Sequence, residues 1–507
     1  MSERLRTRDL AFLVAETPTS PCHNCTVEIF EPGDSGFDYD RLIELIRDRI
    51  SFVPRYRQRL RTVPGHLANP VWVDDDKFDL HFHVRRSALP RPGTSEQLRE
   101  LVARIVSRPL DRGRPLWEMY LVEGLAGGRL ALLSKSHQAL VDGVQTVDIG
   151  QLLLDHSAEP KQLEPDEWAP RRTPSPAGLV AGAVRETLTE PAVLLDSLQS
   201  TTSAVLRTAD ASTRRARAVA ATLARRRPER PTPISGALSQ QRRVITVDTS
   251  LADHRAVRKA HGGTVNDVIL ATITGALRAW LMTRTESLGG LRKIRAVVPV
   301  SVIDEELEAT SLGSMIAPHY VDLPVGEPSP LVRLHQVSYS FTAHKEGGRA
   351  VAANRLAGIA GFAPTTFHAM GSRVAFEELR RGFQLSVTNV PGPQSPLYAA
   401  GARMVGSYPV PPLLPGHPLA IGVTSYDGSV FYGITADRDR LPDADLLGTC
   451  ITEALTELTE ASGGRQRAPR GRRKPSRTGK ASRPTRPGTP APADGDDSGS
   501  TTGSTSR

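Results

Sequence analysis

The 507-residue sequence is poor in cysteine and has no long apolar run. Its only three cysteines are Cys22, Cys25 and Cys450, which excludes a disulfide scaffold and suits a reducing cytosol. Without a run of about 18 apolar residues, no transmembrane helix is expected, and the N-terminus lacks the apolar core of a signal peptide. The length suffices for two or three globular domains.

Several sequence signatures of common enzyme classes are also missing. No glycine-rich phosphate loop opens a helix, and no G-x-S-x-G turn presents a nucleophilic serine. Cys22 and Cys25 enclose His23, but no second cysteine pair completes a zinc set at a suitable spacing. We therefore predict neither a metal site nor a resident cofactor.

The basic charge of the chain is confined to two segments. Of a net charge of +9, residues 461–507 contribute 11 Lys/Arg against 3 Asp, and residues 214–230 contain seven Arg and one Glu. The remainder is mildly acidic and shows no basic stripe interleaved with aromatic residues, so no specific nucleic-acid partner is predicted. The tail lacks large apolar residues and is predicted to be disordered. It serves either as a solubilising extension or as a tether to an anionic surface.

Composition divides the chain into four segments. We predict an N-terminal domain over 1–170, a basic helical connector over 171–235, a C-terminal domain over 236–460 and a disordered tail over 461–507. Both domains mix strands and helices, so the fold class is α/β. The connector either lies on a membrane surface or packs on the body as an ordinary linker. A ligand pocket is expected between the two domains.

The most informative stretch is SKSHQALVDG over residues 134–143. An apolar strand runs into a polar turn, and a helix is predicted to begin after the glycine. His137, Gln138 and Asp142 would gather at this strand end, and Gly143 would let a substrate approach the backbone closely. Asp142 is equally suited to capping the following helix, so both interpretations stay open at this level.

The turn resembles the H-H-x-x-x-D-G motif of the bacterial wax ester synthase/acyl-CoA:diacylglycerol acyltransferase family. Further blocks stand in the family's order, among them RPLWE over 114–118, TVNDVIL over 264–270 and TNVPGP over 388–393. The resemblance extends over about residues 8–458. It implies two chloramphenicol-acetyltransferase-like domains with an interdomain tunnel and a connector between them.

The resemblance also implies a reaction. Acyl-CoA serves as co-substrate, without a cofactor, and its acyl group passes to diacylglycerol or a long-chain alcohol. The protein is expected in the cytoplasm, with peripheral association to the inner face of the membrane or to lipid droplets. Besides the motif, the implied substrate-binding residues are Gly143, Pro115, Leu116, Trp117, Asn266, Asp267, Asn389 and His23.

Several of these residues also have a purely structural interpretation. Trp117 precedes a strand and suits an ordinary core. Asn266 and Asp267 stand at a helix start, where the helix dipole favours an acidic residue. Asn389 begins a rigid Pro-Gly-Pro turn.

The motif departs from the family pattern at position 138. The family's second motif histidine is the general base, and here that residue is Gln138, whose neutral amide cannot take up a proton. Asp142 keeps the family's structural role of holding the turn. Three hypotheses follow: a weak acyltransferase in which Gln138 positions the acceptor, an enzyme rescued by His137 as base, or a catalytically impaired relative that binds acyl-CoA or lipid surfaces. Neighbouring residues on a strand face opposite ways, so rescue by His137 requires a local twist.

Overall fold

The computed structural model describes residues 3–33, 36–140, 149–159, 168–189, 232–284, 290–301, 316–345 and 364–463. Residues 1–464 form one compact unit. Asp142, Gly143, residues 190–231 of the predicted connector with the basic segment 214–230, and the tail beyond residue 463 lie outside the described residues. The domain boundaries at 170 and 236 stay predictions.

The described helices differ widely in length. In chain order they are α1 (Thr7–Ala15), α2 (Tyr39–Arg49), α3 (Leu80–His83), α4 (Ser95–Val106), α5 (Ile149–Leu152), α6 (Pro176–Thr189), α7 (Leu251–His261), α8 (Val265–Arg284), α9 (Pro330–Lys345), α10 (Pro364–Glu377) and α11 (Leu446–Gly463). Short 3-10 helices cover Ile50–Phe52, Pro54–Arg57, Pro64–His66, Ala126–Gly128 and Glu378–Arg381.

The strands build two large sheets and one two-stranded ribbon. In chain order they are β1 (His23–Glu31), β2 (Gln58–Arg61), β3 (Val71–Asp74), β4 (Val84–Ala88), β5 (Trp117–Glu123), β6 (Leu130–His137), β7 (Arg242–Ser250), β8 (Ile294–Ser301), β9 (Ile316–Leu323), β10 (Leu385–Pro391), β11 (Tyr398–Ala399), β12 (Ala402–Val410), β13 (Leu419–Tyr426) and β14 (Ser429–Asp437).

The first sheet has the strand order β11-β12-β1-β6-β5-β4. Strand β6, LALLSKSH, is buried along its whole length, as expected for a central strand covered on both faces. Strand β1 lies between β6 and β12 and is antiparallel to both. Because β11 and β12 come from the C-terminal half of the chain, that half completes the sheet of the N-terminal half.

The second sheet has the order β7-β14-β13-β10-β8-β9 and is built from the C-terminal half alone. Its inner strands pair in parallel, β10 with both β13 and β8, and its outer pairs are antiparallel. Helices α8 and α11 pack against each other beside this sheet, and their apolar residues share one core cluster with those of the strands.

Helix α8 is the described helix that is long and apolar enough to cross a membrane by length and composition. Of its most apolar 18-residue window, 72% is buried inside the protein. A helix that is hydrophobic on all sides and covered by neighbours is a core helix.

Local sequence patterns predict many element bounds closely. The sequence pattern predicts strands over 117–123 and 130–137, which coincide with β5 and β6, and a helix over 39–50, which is α2 to within one residue. The same pattern predicts a strand over 80–85, and this prediction is wrong at its start. Asp79 accepts a hydrogen bond from the backbone N–H of His81 at 3.0 Å and caps one helical turn, so the strand begins only at Val84.

Candidate active site

The motif strand β6 and strand β1 bring two histidines face to face. In the antiparallel register His23 stands directly opposite His137, and their ring centroids are 5.7 Å apart. Directly opposed residues of an antiparallel pair share one face of the sheet. His23 and His137 are 3% and 0% exposed, so this face is closed to solvent.

Both ring nitrogens of His137 face protein groups. Nδ1 accepts a hydrogen bond from the backbone N–H of Ala139 at 3.0 Å. A neutral imidazole that accepts at Nδ1 carries its proton on Nε2, and this nitrogen lies 3.7 Å from Oε2 of Glu16. His137 therefore stabilises the turn that follows it and does not offer a free lone pair to a substrate.

Glu16 lies between the two histidines and was not predicted from the sequence. Its Oε1 is 3.0 Å from Nε2 of His23, and its Oε2 is 2.5 Å from the Arg112 guanidinium. Glu16 follows helix α1, which ends at Ala15, so no spacing in the sequence links it to the motif. Its position only seven residues before His23 is the one available signal.

The buried cluster holds its carboxylate charged and its histidines neutral. Burial raises the pKa of Glu16, but the hydrogen bonds and charges of His137 and His23 outweigh it and lower that pKa well below its usual range. Burial lowers the pKa of His23 to about 3 despite the contact with Glu16. Burial likewise lowers the pKa of His137, against the opposing effect of Glu16.

The side chain of Gln138 points away from His137 and Glu16. Its side-chain Nε2 donates a hydrogen bond to Oδ1 of Asn24 at 2.7 Å, and both residues are buried. Among the described residues, Oε1 of Gln138 has no hydrogen-bond partner. Because an amide fixed by its NH₂ group presents its carbonyl oxygen, Gln138 offers one hydrogen-bond acceptor.

The backbone at Gln138 is held from both halves of the chain. Its N–H donates to the Cys22 carbonyl at 2.9 Å, and its carbonyl accepts from Arg373 on α10 at 3.0 Å. Arg373 is itself buried and ion-paired with Asp9. The orientation of position 138 is thus set by α1, β1 and α10 together.

Two small cavities lie at this face of β1 and β6, each with a volume of about 10 Å³. The first is lined by Gln138, by Ser372 and by apolar side chains that include Phe12, Phe376 and Leu413. The second is lined by Asn24, Ser134, Ser372 and His368. Such volumes hold about one water molecule each. The predicted interdomain tunnel stays a prediction.

His368 is a buried histidine that was not predicted from the sequence. Its Nδ1 and Nε2 each lie 2.7 Å from a threonine hydroxyl, of Thr388 on β10 and Thr424 on β13. Burial lowers its pKa to about 3. No pattern in the sequence marks this residue, since its partners lie 20 and 56 positions away.

Asn266 and Asn389, two predicted substrate-binding residues, are in contact. Nδ2 of Asn389 donates to Oδ1 of Asn266 at 2.8 Å and ties the start of α8 to β10. Asp267 forms a capping arrangement instead: its Oδ2 accepts from the N–H of Thr264 at 2.9 Å, and Oγ of Thr264 accepts from the N–H of Asp267 at 3.2 Å. Asp267 also accepts a hydrogen bond from Ser338 at 3.1 Å.

Pro115, Leu116 and Trp117 are buried in the core of the first half. The Leu116 carbonyl accepts a hydrogen bond from the N–H of His137 at 2.9 Å. The Trp117 indole donates to the Tyr56 carbonyl at 2.7 Å and stacks on His83 at a centroid distance of 4.7 Å. These contacts match the structural interpretation, and substrate binding by the three residues stays a prediction.

Comparisons with known proteins agree with the motif and the fold. The profile of the wax ester synthase/diacylglycerol acyltransferase catalytic domain matches residues 5–269, and that of the WS/DGAT C-terminal domain matches residues 312–459. The probable diacylglycerol O-acyltransferase tgs3 of Mycobacterium tuberculosis is 40% identical over 261 residues, 51% of this chain and 96% of that protein. The probable diacylglycerol O-acyltransferase tgs1 of the same organism is 33% identical over 431 residues, 84% of this chain and 89% of that protein.

The fold has a solved counterpart. The wax ester synthase/diacylglycerol acyltransferase from Marinobacter aquaeolei VT8 superposes with a TM-score of 0.63 at 26% identity, covering 91% of this chain and all of that one. This likeness and the two large sheets confirm the predicted α/β fold of two acyltransferase-like domains. The chain belongs to the wax ester synthase/diacylglycerol acyltransferase family and is an acyltransferase of that type.

Proposed function

We propose that the protein is an acyl-CoA-dependent O-acyltransferase that forms triacylglycerol, and also wax esters, with Gln138 as the group that orients the acceptor hydroxyl. One observation carries the proposal: the buried Oε1 of Gln138 has no partner among the described residues and borders a cavity with apolar walls. A hydroxyl group placed in this cavity would donate its hydrogen bond there, because an unmade bond leaves a buried acceptor unsatisfied at a cost of about 1–3 kcal/mol.

The proposed transfer is direct. The oxygen of the acceptor hydroxyl attacks the thioester carbonyl, the C–S bond breaks, and the hydroxyl proton passes to the leaving thiolate to give free CoA. Gln138 orients the hydroxyl by accepting its hydrogen bond and takes no proton itself. Catalysis then rests on holding the two reactants together, a contribution separate from that of a base.

Rescue by His137 does not fit the contacts of its ring. Nδ1 is occupied by the Ala139 N–H, and Nε2 faces Glu16 across 3.7 Å. For His137 to act as base, the ring would have to leave both partners and turn to the face that Gln138 occupies. We therefore assign His137 to positioning the turn and Gln138 to contact with the acceptor.

A second function is favoured by the same substitution. With an amide at position 138, the protein could bind acyl-CoA or a lipid surface without transferring the acyl chain at a useful rate. Loss of a general base typically lowers the rate about 10²- to 10⁴-fold. Under either function we propose that the protein needs no metal or cofactor and works in the cytoplasm at the inner membrane face or on lipid droplets, where diacylglycerol and long-chain alcohols are found.

The test is acyl transfer by the purified full-length protein. Radiolabelled palmitoyl-CoA is supplied with diacylglycerol or hexadecanol, and the products are separated by thin-layer chromatography. We expect slow formation of triacylglycerol and wax ester, and a drop of about tenfold or more in Gln138→Met, which keeps the size of the side chain and removes the acceptor oxygen. Binding of palmitoyl-CoA without transfer to either acceptor would instead establish the binding function.

The assignment of the two motif residues has its own control. His137→Gln keeps a polar side chain at the neighbouring position and removes only the imidazole. If the transfer rate of Gln138→Met equals that of wild type while His137→Gln is inactive and still folded, the acceptor is activated by His137 and the assignment to Gln138 is wrong.

A further inference from the structure

A cleft of about 1260 Å³ lies between α4 of the first half and β7 and α11 of the second half. It is far larger than the cavities at Gln138, and its walls are polar and rich in arginine: Arg99, Arg104, Arg108, Arg242, Arg243 and Arg438. Clefts of this size between two halves of a chain are common ligand sites.

The positive charge is concentrated at one end of the cleft. Arg112, just beyond the C-terminus of α4, contacts Glu16, and Arg242, at the start of β7, donates to the Thr19 carbonyl. The chain that follows α4 and the first residue of β7 therefore both contact the segment 16–20. Arg104 and Arg108 belong to this end. Glu96 stands in the first turn of α4 and Asp248 near the end of β7, whereas Glu100 lies one helical turn before Arg104.

Several arginines at the basic end are free of strong ion pairs. No described carboxylate lies within 4.0 Å of the guanidinium of Arg104 or Arg108, and both side chains are exposed. Arg438 is exposed and is 4.0 Å from Asp439, at the limit of an ion pair. By contrast, Arg243 is ion-paired with Asp445. Unpaired guanidinium groups are well suited to bidentate bonds with phosphate.

The basic end also leads to the candidate active site. Arg242 is buried and contacts Thr19, and the next residue, Ser20, lines the cavity at Gln138. If the charged part of an acyl donor binds at the basic end of the cleft, its acyl thioester lies beside the segment 16–20, on the side where Gln138 is found.

We propose that the basic end of this cleft, formed by Arg104, Arg108 and Arg438, binds the phosphate groups of the acyl-CoA co-substrate. The inference rests on the proposed function, because that function requires an acyl-CoA donor. It adds where the donor's phosphates bind and which residues hold them. The cleft is wide enough for the nucleotide portion of such a donor.

The test distinguishes binding of the donor's phosphates from binding of its acyl chain. The double variant Arg104→Ala/Arg108→Ala is compared with wild type using two donors, palmitoyl-CoA and S-palmitoyl-N-acetylcysteamine, which lacks phosphate. We expect KM for palmitoyl-CoA to rise about ten- to a hundredfold with kcat nearly unchanged, and the kinetics with the phosphate-free donor to stay as in wild type. The double variant Arg255→Ala/Arg258→Ala removes two exposed arginines of α7 outside the cleft and should behave as wild type with both donors.

A binding measurement distinguishes failure of this inference from failure of the proposed function. Adenosine 3′,5′-bisphosphate is titrated calorimetrically into both double variants and wild type. We expect binding to wild type that weakens with salt and is lost only in Arg104→Ala/Arg108→Ala. Equal affinity in all three proteins would overturn the cleft assignment even if acyl transfer is observed. Binding of phosphatidylglycerol vesicles in place of the bisphosphate, lost in the same variant, would overturn it as well and assign the arginines to a lipid phosphate.

Discussion

Restoring a base at position 138 is the perturbation with the largest expected effect. In Gln138→His, one imidazole nitrogen can donate to Oδ1 of Asn24, which now accepts from Gln138 at 2.7 Å. That bond would fix the tautomer of the new imidazole. Its other nitrogen would then carry a free lone pair at the position where Oε1 of Gln138 now lies. A positioned general base contributes about 10² to 10⁴ in rate, or about 3–5 kcal/mol of barrier.

We expect the lower end of that range, a kcat gain of about 10²-fold. Burial lowers the pKa of the neighbouring histidines His23 and His368 to about 3, and a base of low pKa drives proton transfer weakly. The assay is transfer from radiolabelled palmitoyl-CoA to diacylglycerol across a range of pH. Only the neutral imidazole accepts a proton, so the rate should rise with pH through the pKa of the new histidine and then level off.

The control for this gain is the same variant without its orienting partner. Gln138→His/Asn24→Ala should lose most of the increase, because the ring is no longer held in one tautomer. If Gln138→His is folded and its kcat stays within threefold of wild type, the missing base does not limit the rate, and the reasoning from position 138 fails.

Three further outcomes follow from the buried polar groups. Glu16→Gln should lower the free energy of unfolding by about 2 kcal/mol at pH 7, measured by urea unfolding. Since the pKa of Glu16 is lowered on folding, its contribution is complete above the unfolded value of 4.5 and decreases as the pH falls from there toward the much lower folded pKa; a difference between wild type and variant that does not shrink between pH 5 and pH 3 would contradict the assignment. His368 is neutral in the folded protein and becomes charged only near pH 3. Because the unfolded chain takes up a proton here below about pH 6.5, the free energy of unfolding of wild type should fall through this residue by about 1.4 kcal/mol for each pH unit below 6.5. The plot of this free energy against pH should be less steep by one proton in His368→Gln, and equal slopes would refute the burial argument. Asp267→Ala should cost about 1–2 kcal/mol of stability through its lost cap while KM for both substrates stays unchanged, whereas a raised KM at unchanged stability would favour the substrate-binding role.

Much of the first half could be predicted from local patterns, because its strands are bounded by clear changes in hydrophobicity. Strand β6 carries an uninterrupted apolar run up to Leu133 and ends where the motif begins. The alternation of facing along a strand also predicts correctly that residues 137 and 138 point to opposite faces. The contacts of His137 with Glu16 and of Gln138 with Asn24 show the two faces.

Pairings between distant segments could not be predicted in this way. The insertion of β12 beside β1 joins residues nearly 400 positions apart, and neither strand carries a local sign of its partner. Glu16 escaped notice for the same reason, because a single glutamate after an amphipathic helix is ordinary until the fold brings it against two histidines. His368 is similar, since only the assembled second sheet places two threonine hydroxyls against its ring.

The sequence could single out the two amide residues Asn266 and Asn389, but not that they contact each other. Asn266 and Asn389 both stand in motifs that resemble the family, and their mutual hydrogen bond appears only in the structure. The resemblance also implies that His23 binds substrate. The fold buries this residue against Glu16, because β1 runs through the middle of the first sheet, and substrate binding by His23 stays a prediction.

The most direct test of the central claim is a crystal structure of the protein with diacylglycerol and a non-hydrolysable thioether analogue of palmitoyl-CoA. The decisive quantity is the distance from the free hydroxyl oxygen of diacylglycerol to Oε1 of Gln138. Direct transfer oriented by this amide predicts a separation of about 2.6–3.0 Å, with the His137 ring still bound to the Ala139 N–H. A hydroxyl bonded to the His137 ring, or held well away from position 138, would contradict it.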